Sequence, residues 1–357
     1  MKILYGFLSL LVIGIVLFVT VPGPIDPASY DPPSPPELTG VLAPNYSLKL
    51  TEWLVKGQVY GPEDVDVDKQ GRLYGGTQDG KIIRVIEDGT IETFAETGGR
   101  PLGLHFDHHG NLIVCDAWKG LLSIDTQGTI TTLATEAEGV PFLLTNDLDI
   151  DSQGIIYFTD ASSKFHQPEY KLDLLETRPH GRFLSYNPRT KKTKVLLRDL
   201  YFANGVALSQ NEDFVVVNET YRYRILRYWL KGEKAGTHDV FADNLPGFPD
   251  GISSNRKGTF WLALPTLRNA LADDLHPKPF LKGLLTKLPE SFLPKVQPYG
   301  LVLALNEQGE IIRSLHDTNG KHIKEVTSAQ ERDGSLYLGN LGQDWIGRLK
   351  LIIVPKT

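Results

Sequence analysis

The strongest constraint on the fold is a turn that returns six times. A hydrophobic run leads into Asp68-Lys69-Gln70-Gly71, Asp107-His108-His109-Gly110, Asp151-Ser152-Gln153-Gly154, Gln210-Asn211-Glu212-Asp213, Asn255-Arg256-Lys257-Gly258 or Glu331-Arg332-Asp333-Gly334. A second strand follows each, such as Ile156-Tyr157-Phe158 or Phe260-Trp261-Leu262. Third strands are also visible, as in Lys81-Ile82-Ile83-Arg84-Val85. Repeats roughly 40–80 residues apart fit four-stranded blades. One blade cannot bury both of its apolar faces alone, so the blades must close into a ring. The expected fold is all-β, a six-bladed β-propeller.

The N-terminus adds a second constraint. Ile3 to Val21 is almost wholly apolar, about the ~20 residues needed to cross a bilayer. It ends Val19-Thr20-Val21-Pro22-Gly23, without the small-residue pattern of a cleavage site. An uncleaved transmembrane signal anchor is expected over 1–22, a proline-rich linker over 23–45 and the propeller over 46–357. Lys2 is the only charge before the apolar run and would stay cytoplasmic, placing the propeller on the non-cytoplasmic side. The linker, centred on Pro32-Pro33-Ser34-Pro35-Pro36, reads as an extended spacer holding the propeller off the membrane. The net charge of -6 argues against nucleic acid as a partner. Cys115, the one cysteine, sits in an apolar run and reads as a buried structural thiol.

Two insertions interrupt the repeat. Pro265 to Gly300 shows broken helical periodicity, which Pro277, Pro279 and Pro289 limit to short pieces. Phe165 to His180 is shorter. Both are expected over one end of the ring, as lids that shape a mouth or touch the membrane.

Counting back five residues from each turn gives Glu63, Leu102, Asn146, Asn204, Asp250 and Val326, with the fourth turn begun at Ser209. These positions open the first strand of each blade, which lines the central channel. Four of them carry oxygen: Glu63, Asn146, Asn204 and Asp250. Two carboxylates and two amides suit Ca2+, whereas zinc prefers His or Cys. Any one of the four is equally readable as a turn residue, since Asn-Gly, Asn-Asp and Asp-Gly are common turn pairs. The shared offset is what favours a site.

At these residues the chain resembles a known family. Gly61-Pro62-Glu63-Asp64, Leu144-Thr145-Asn146-Asp147-Leu148, Phe202-Ala203-Asn204-Gly205-Val206 and Pro246-Gly247-Phe248-Pro249-Asp250 are similar to the strictosidine-synthase-like branch of the calcium-dependent propeller hydrolases. That superfamily includes paraoxonases, gluconolactonases and the senescence marker protein family. The resemblance implies a calcium ion near one channel mouth, held by Glu63, Asn146, Asn204 and Asp250, with Asp250 as general base. It also implies a second, structural calcium, for which Asp64 and Asp147 match two ligands. Two positions depart from the pattern. Thr327 stands where strictosidine synthases carry a sixth-blade glutamate, which argues against alkaloid condensation. Leu102 stands where paraoxonases carry a second-blade histidine. His105 lies three residues on, an odd step that should face away, and reads as a sheet-packing residue.

The expected activity is calcium-dependent hydrolysis of a small-molecule ester or lactone, with Asp250, or else Glu63, accepting the proton of water. The rival is a non-catalytic membrane-anchored scaffold with structural calcium. Asp116, Asp160 and Glu219 share another offset and read as turn caps. Asn45-Tyr46-Ser47 and Asn218-Glu219-Thr220 fit a glycosylation acceptor pattern.

Overall fold

A computed structural model describes residues 2–86 and 89–351. Six four-stranded antiparallel sheets form the blades of a propeller. The inner strands are Val65–Val67, Pro101–Phe106, Thr145–Ile150, Ala203–Leu208, Ile252–Ser254 and Val326–Arg332. Each runs into one of the six turns foreseen from the sequence. In the first blade Asp68 closes the turn by accepting from Gln70 N and Arg72 N, and Gly71 supplies the positive φ of 79°. The ring closes through Glu52–Leu54, which pairs with Ile346–Lys350 as the outer strand of the sixth blade. The chain's first strand thus completes its last sheet and ties the two ends of the ring together. Residues 352–357, part of the expected propeller span, lie outside the described residues.

The core lies between blades. Phe214, Phe241 and Phe260 join blades four and five in one cluster, and Ile113, Ile150, Phe158 and Tyr186 join blades two and three in another. Cys115 is fully buried in the latter, as a small apolar residue. Near the axis the blades approach so closely that side chains are excluded. A Cβ on Gly205 would stand 2.4 Å from Asp250 O, and one on Gly103 would stand 2.6 Å from the Asp147 backbone.

Helix α1 (Lys2–Thr20) is exposed and, over Ile3–Thr20, long and apolar enough to cross a membrane. The Lys2 side chain, read as the orienting charge, lies outside the described residues. The insertions form short helices, as the prolines demanded: α2 (Tyr170–Glu176), α3 (Ala270–Leu275) and α4 (Pro279–Leu285), with Pro279 at the first turn of α4. They pack together over one end of the ring.

The proline-rich segment differs from the spacer expected. It is extended but strapped to the protein. Ile25 is buried with Phe165, Leu175 and Leu293, and Ala28 N donates to Glu176 O. Lys282 Nζ, on the buried face of α4, donates to Ala28 O and Thr177 Oγ1. Further along, Arg268 bonds Pro33 O and Leu42 enters the core between blades four and five. A proline-rich chain offers few donors, here Asp26 N, Ala28 N and Tyr30 N, but its carbonyls remain strong acceptors, and Lys282 and Arg268 supply donors to them.

Candidate functional site

The ring positions arise from a bulge. In blades two, three, four and six the register shifts by one residue just inside the first pair: between Pro101 and Leu104, Thr145 and Leu148, Ala203 and Val206, and Val326 and Ser328. A bulge re-aims the residue it carries. Leu102, Asn146 and Asn204 are those residues, and Glu63 and Asp250 occupy the matching places in blades one and five. In blade six the matching residue is Thr327, which corrects the Val326 expected from counting. There the strand continues to Arg332, and a two-residue turn at Asp333 and Gly334 replaces the longer turn of the other blades. The count therefore began one residue early. Thr327 is buried and donates to Glu63 O at 2.6 Å.

Glu63, Asn146, Asn204 and Asp250 all line one cavity of about 260 Å³. Its walls are largely apolar, with Leu102, Leu144, Phe202 and Phe248 from the blades and Tyr170, Leu174 and Ala272 from the lids. Asn204 Nδ2 donates to Asp250 Oδ1 at 2.7 Å and to Thr220 Oγ1 at 3.2 Å. Asn204 Oδ1 is buried with no hydrogen-bond partner. Such an atom is costly unless something else satisfies it. Asn218 Nδ2 bonds Asp250 O, and Thr220 Oγ1 donates to Pro249 O at 2.7 Å, which fixes the backbone beneath Asp250.

Electrostatics show strain at the same place. Burial pushes the Asp250 carboxyl up to about 7, with Asp64 adding to the effect and the Asn204 bond opposing it. Glu63 is raised well above the usual carboxylate range by burial and by Asp250 and Asp64, against the pull of Arg100. Arg100 is itself buried, with Nη1 on Gly61 O at 3.0 Å and Nη2 unpaired. Two buried carboxylates, two amides and an unsatisfied amide oxygen fit a hard, oxygen-seeking cation such as calcium. Among the described residues no group of three or more His, Cys, Asp and Glu is placed to hold a metal. The ring falls outside that description because two of its four side chains are amides.

Deeper in the channel, carboxylates staple blades together. Asp64 Oδ2 accepts from Leu104 N at 3.0 Å, and Asp147 Oδ2 accepts from Val206 N at 2.9 Å. Asp66 and Asp149 do the same for Phe106 N and Leu208 N. Burial raises Asp64 to about 6 and Asp147 well above its ordinary value. His105 is not packed in the sheet as expected. The extra bulge residue returns it to the channel side, where Nδ1 lies 3.1 Å from Asp66 and Nε2 3.8 Å from Asp149. Burial opposes its charge, but the Asp66 and Asp149 carboxylates outweigh it and raise its pKa to about 9.

The caps expected at Asp116, Asp160 and Glu219 are present. Each carboxylate accepts from the backbone just before its own blade's inner strand, at Arg100 N, Leu144 N and Tyr201 N. Asn218, read as a glycosylation acceptor, is fully buried and supports Asp250 instead. Asn45 is half-buried, bonded to Ser314 O and His316 N. Counting missed Thr220, Asn218 and Thr327. The first two stand at the end of the second strand, and only the pairing of Ala203 with Glu219 brings them to Asn204.

Fold and site together define a six-bladed propeller with an oxygen-rich ring at one mouth of its channel. Residues 40–85 match the strictosidine synthase-like N-terminal profile, and residues 146–233 match the strictosidine synthase profile. Adipocyte plasma membrane-associated protein from Rattus norvegicus is 41% identical over 352 residues, covering 92% of this chain and 93% of that protein. The Homo sapiens protein of that name is 38% identical, covering 92% and 84%. Strictosidine synthase-like protein 3 from Arabidopsis thaliana is 38% identical, covering 84% of each. The chain therefore belongs to the strictosidine synthase-like family that contains the adipocyte plasma membrane-associated proteins. Among solved structures, a gluconolactonase from Xanthomonas campestris aligns with TM-score 0.63 at 19% identity, over 94% of this chain and 99% of that one. Regucalcin from Agrobacterium tumefaciens, a calcium-binding protein, aligns with TM-score 0.57 at 15% identity, over 84% and 91%. These two likenesses are of fold.

Proposed function

We propose that the protein is a calcium-dependent hydrolase of carboxylic esters or lactones, tethered to a membrane by α1 with the propeller on the non-cytoplasmic side. The observation that carries this reading is the convergence of Glu63, Asn146, Asn204 and Asp250 on one largely apolar cavity, with Asn204 Oδ1 unpaired. Calcium bound by these four side chains would supply a Lewis acid for the ester carbonyl. Asp250, the buried carboxylate beside the Asn204 amide, would accept the proton of the attacking water. The Asn204 bond holds one carboxyl oxygen and leaves the other free for that proton. Glu63 would balance the second positive charge of such an ion. Leu102, Phe202 and Phe248 exclude bulk water and accept the apolar part of the ester, while Tyr170 and Leu174 bound its size.

The gluconolactonase-type fold supports this reading, and the likeness to regucalcin, a calcium-binding protein, supports the cofactor. Alkaloid condensation lacks support because the sixth ring position is Thr327, which has no charge to offer an amine. A second reading, a scaffold with structural calcium, is favoured by Leu102 at a ring position where a proton acceptor would otherwise stand. Turnover of phenyl acetate and simple lactones, with calcium and with chelator, separates the two. Hydrolysis that chelation abolishes is expected; no chelator-sensitive turnover across the panel supports the scaffold.

A further inference from the structure

The lid carries an apolar surface that the propeller does not use. Leu271, Phe280, Leu281, Leu288, Phe292 and Val296 are all exposed, from 38% to 63% of their surface. All six lie in the segment between blade strands Thr259–Leu264 and Gly300–Asn306. Isolated exposed apolar residues are ordinary, but six within one insertion of a water-soluble domain mark a contact surface. The same segment holds the end of α1. Lys287 Nζ donates to the carbonyls of Phe18 and Val21, the last turn of the helix and the residue just beyond it. A Cβ on Gly23 would stand 3.1 Å from Gly283 O, so the chain leaves α1 directly against α4. Ile25 is already buried beneath the lid.

The distance available is short. From Val21 to Ile25 a fully extended chain reaches at most about 14 Å. The headgroup layer on one side of a bilayer is itself roughly 5–7 Å deep. A propeller tied at Ile25 and Lys287 cannot stand clear of a membrane that α1 spans. Charge agrees with this placement. Between 265 and 300 the chain has Arg268, Lys278, Lys282, Lys287 and Lys295 against Asp273, Asp274 and Glu290, a net of +2 in a chain of net -6. Lys282 is buried and Arg268 is paired with Asp273, but Lys278 and Lys295 are exposed beside the apolar residues and suit a headgroup layer with anionic lipid.

We infer that the lid segment, through Leu271, Phe280, Leu281, Leu288, Phe292 and Val296, docks onto the bilayer that α1 spans. Val296 and Lys295 also line the 260 Å³ cavity. Docking therefore turns the mouth of that cavity towards the lipid, and the opposite mouth, lined by residues such as Lys69 and Gln70, towards water.

The test places one cysteine at Phe292, Phe280 or Gln70 in the full chain, each carrying a fluorophore, with lipid-borne nitroxide as quencher. Cys115 is fully buried and stays unlabelled. The chain is held singly in nanodiscs of phosphatidylcholine and phosphatidylglycerol. Labels in Phe292→Cys and Phe280→Cys are expected to be quenched severalfold more strongly than the label in Gln70→Cys. Equal quenching at all three positions overturns the proposal. So does protection of the lid labels from lipid-borne and aqueous quenchers alike with two chains per disc, because a second copy would then cover the surface. All three side chains are exposed, so folding is not at risk, and a melting curve on each variant checks it. No readout depends on turnover, so loss of the hydrolase reading leaves this result standing.

Discussion

Asp250 and Glu63 are two carboxylates whose burial makes charge expensive; Asp64 raises that cost for both, and Asp250 raises it further for Glu63. A cation repays the cost, which is why their neighbours are amides rather than more acids. Asp250→Asn keeps the oxygen ligand and removes the proton acceptor. It is expected to cut hydrolysis by about 10²–10⁴-fold while calcium-saturated melting shifts little; a large melting loss with unchanged turnover contradicts the role. His105 gives a separate pH signature. Its folded pKa, about 9, lies above its ordinary 6.5. Its contribution to stability is therefore complete below about pH 6.5 and fades as pH rises through about 9. Melting temperature against pH should lose that slope in His105→Gln. Four ring residues were legible because strand period and turn spacing repeat faithfully in five blades. The count alone missed Thr327, which only the family resemblance placed, and the channel-side position of His105 was not legible. A single extra residue in a strand, or a two-residue turn in place of a longer one, changes which face a side chain meets, and neither leaves a compositional mark.

The elements show the same limit. Short lid helices were legible from prolines and periodicity, yet the strap was not. Proline-rich sequence fixes an extended backbone but says nothing about which donors will meet its carbonyls. Lys282 is the clearest fastening. Burial lowers its pKa to about 8, yet Nζ bonds both Ala28 O and Thr177 Oγ1. Lys282→Met keeps the volume and removes the donor, leaving acceptors unpaired at a cost of about 1–2 kcal/mol. Limited proteolysis between residues 22 and 44 should accelerate in that variant, and unchanged cleavage would contradict the fastening. At the axis, Gly205→Ala pushes a methyl group against Asp250 O and Ile252 N. The expected destabilisation is about 1–3 kcal/mol, read by chemical denaturation, together with weaker calcium binding because Asp250 moves.

At the scale of the molecule, six turns foretold six blades, but not the strand that closes the ring. Glu52 pairs with Arg348, nearly the whole chain away, and three residues carry too little pattern to announce it. Closure matters because Glu63 follows that strand and Thr327 belongs to the blade it completes. Only a closed ring brings side chains from blades one, three, four and five to one cavity. The central claim is that these side chains share a calcium ion. Calorimetric titration of calcium into chelator-stripped full-length protein tests it most directly. The account predicts a binding heat that disappears in the Glu63→Gln, Asp250→Asn double variant. Absence of calcium binding in the parent, or undiminished binding in the double variant, would contradict it.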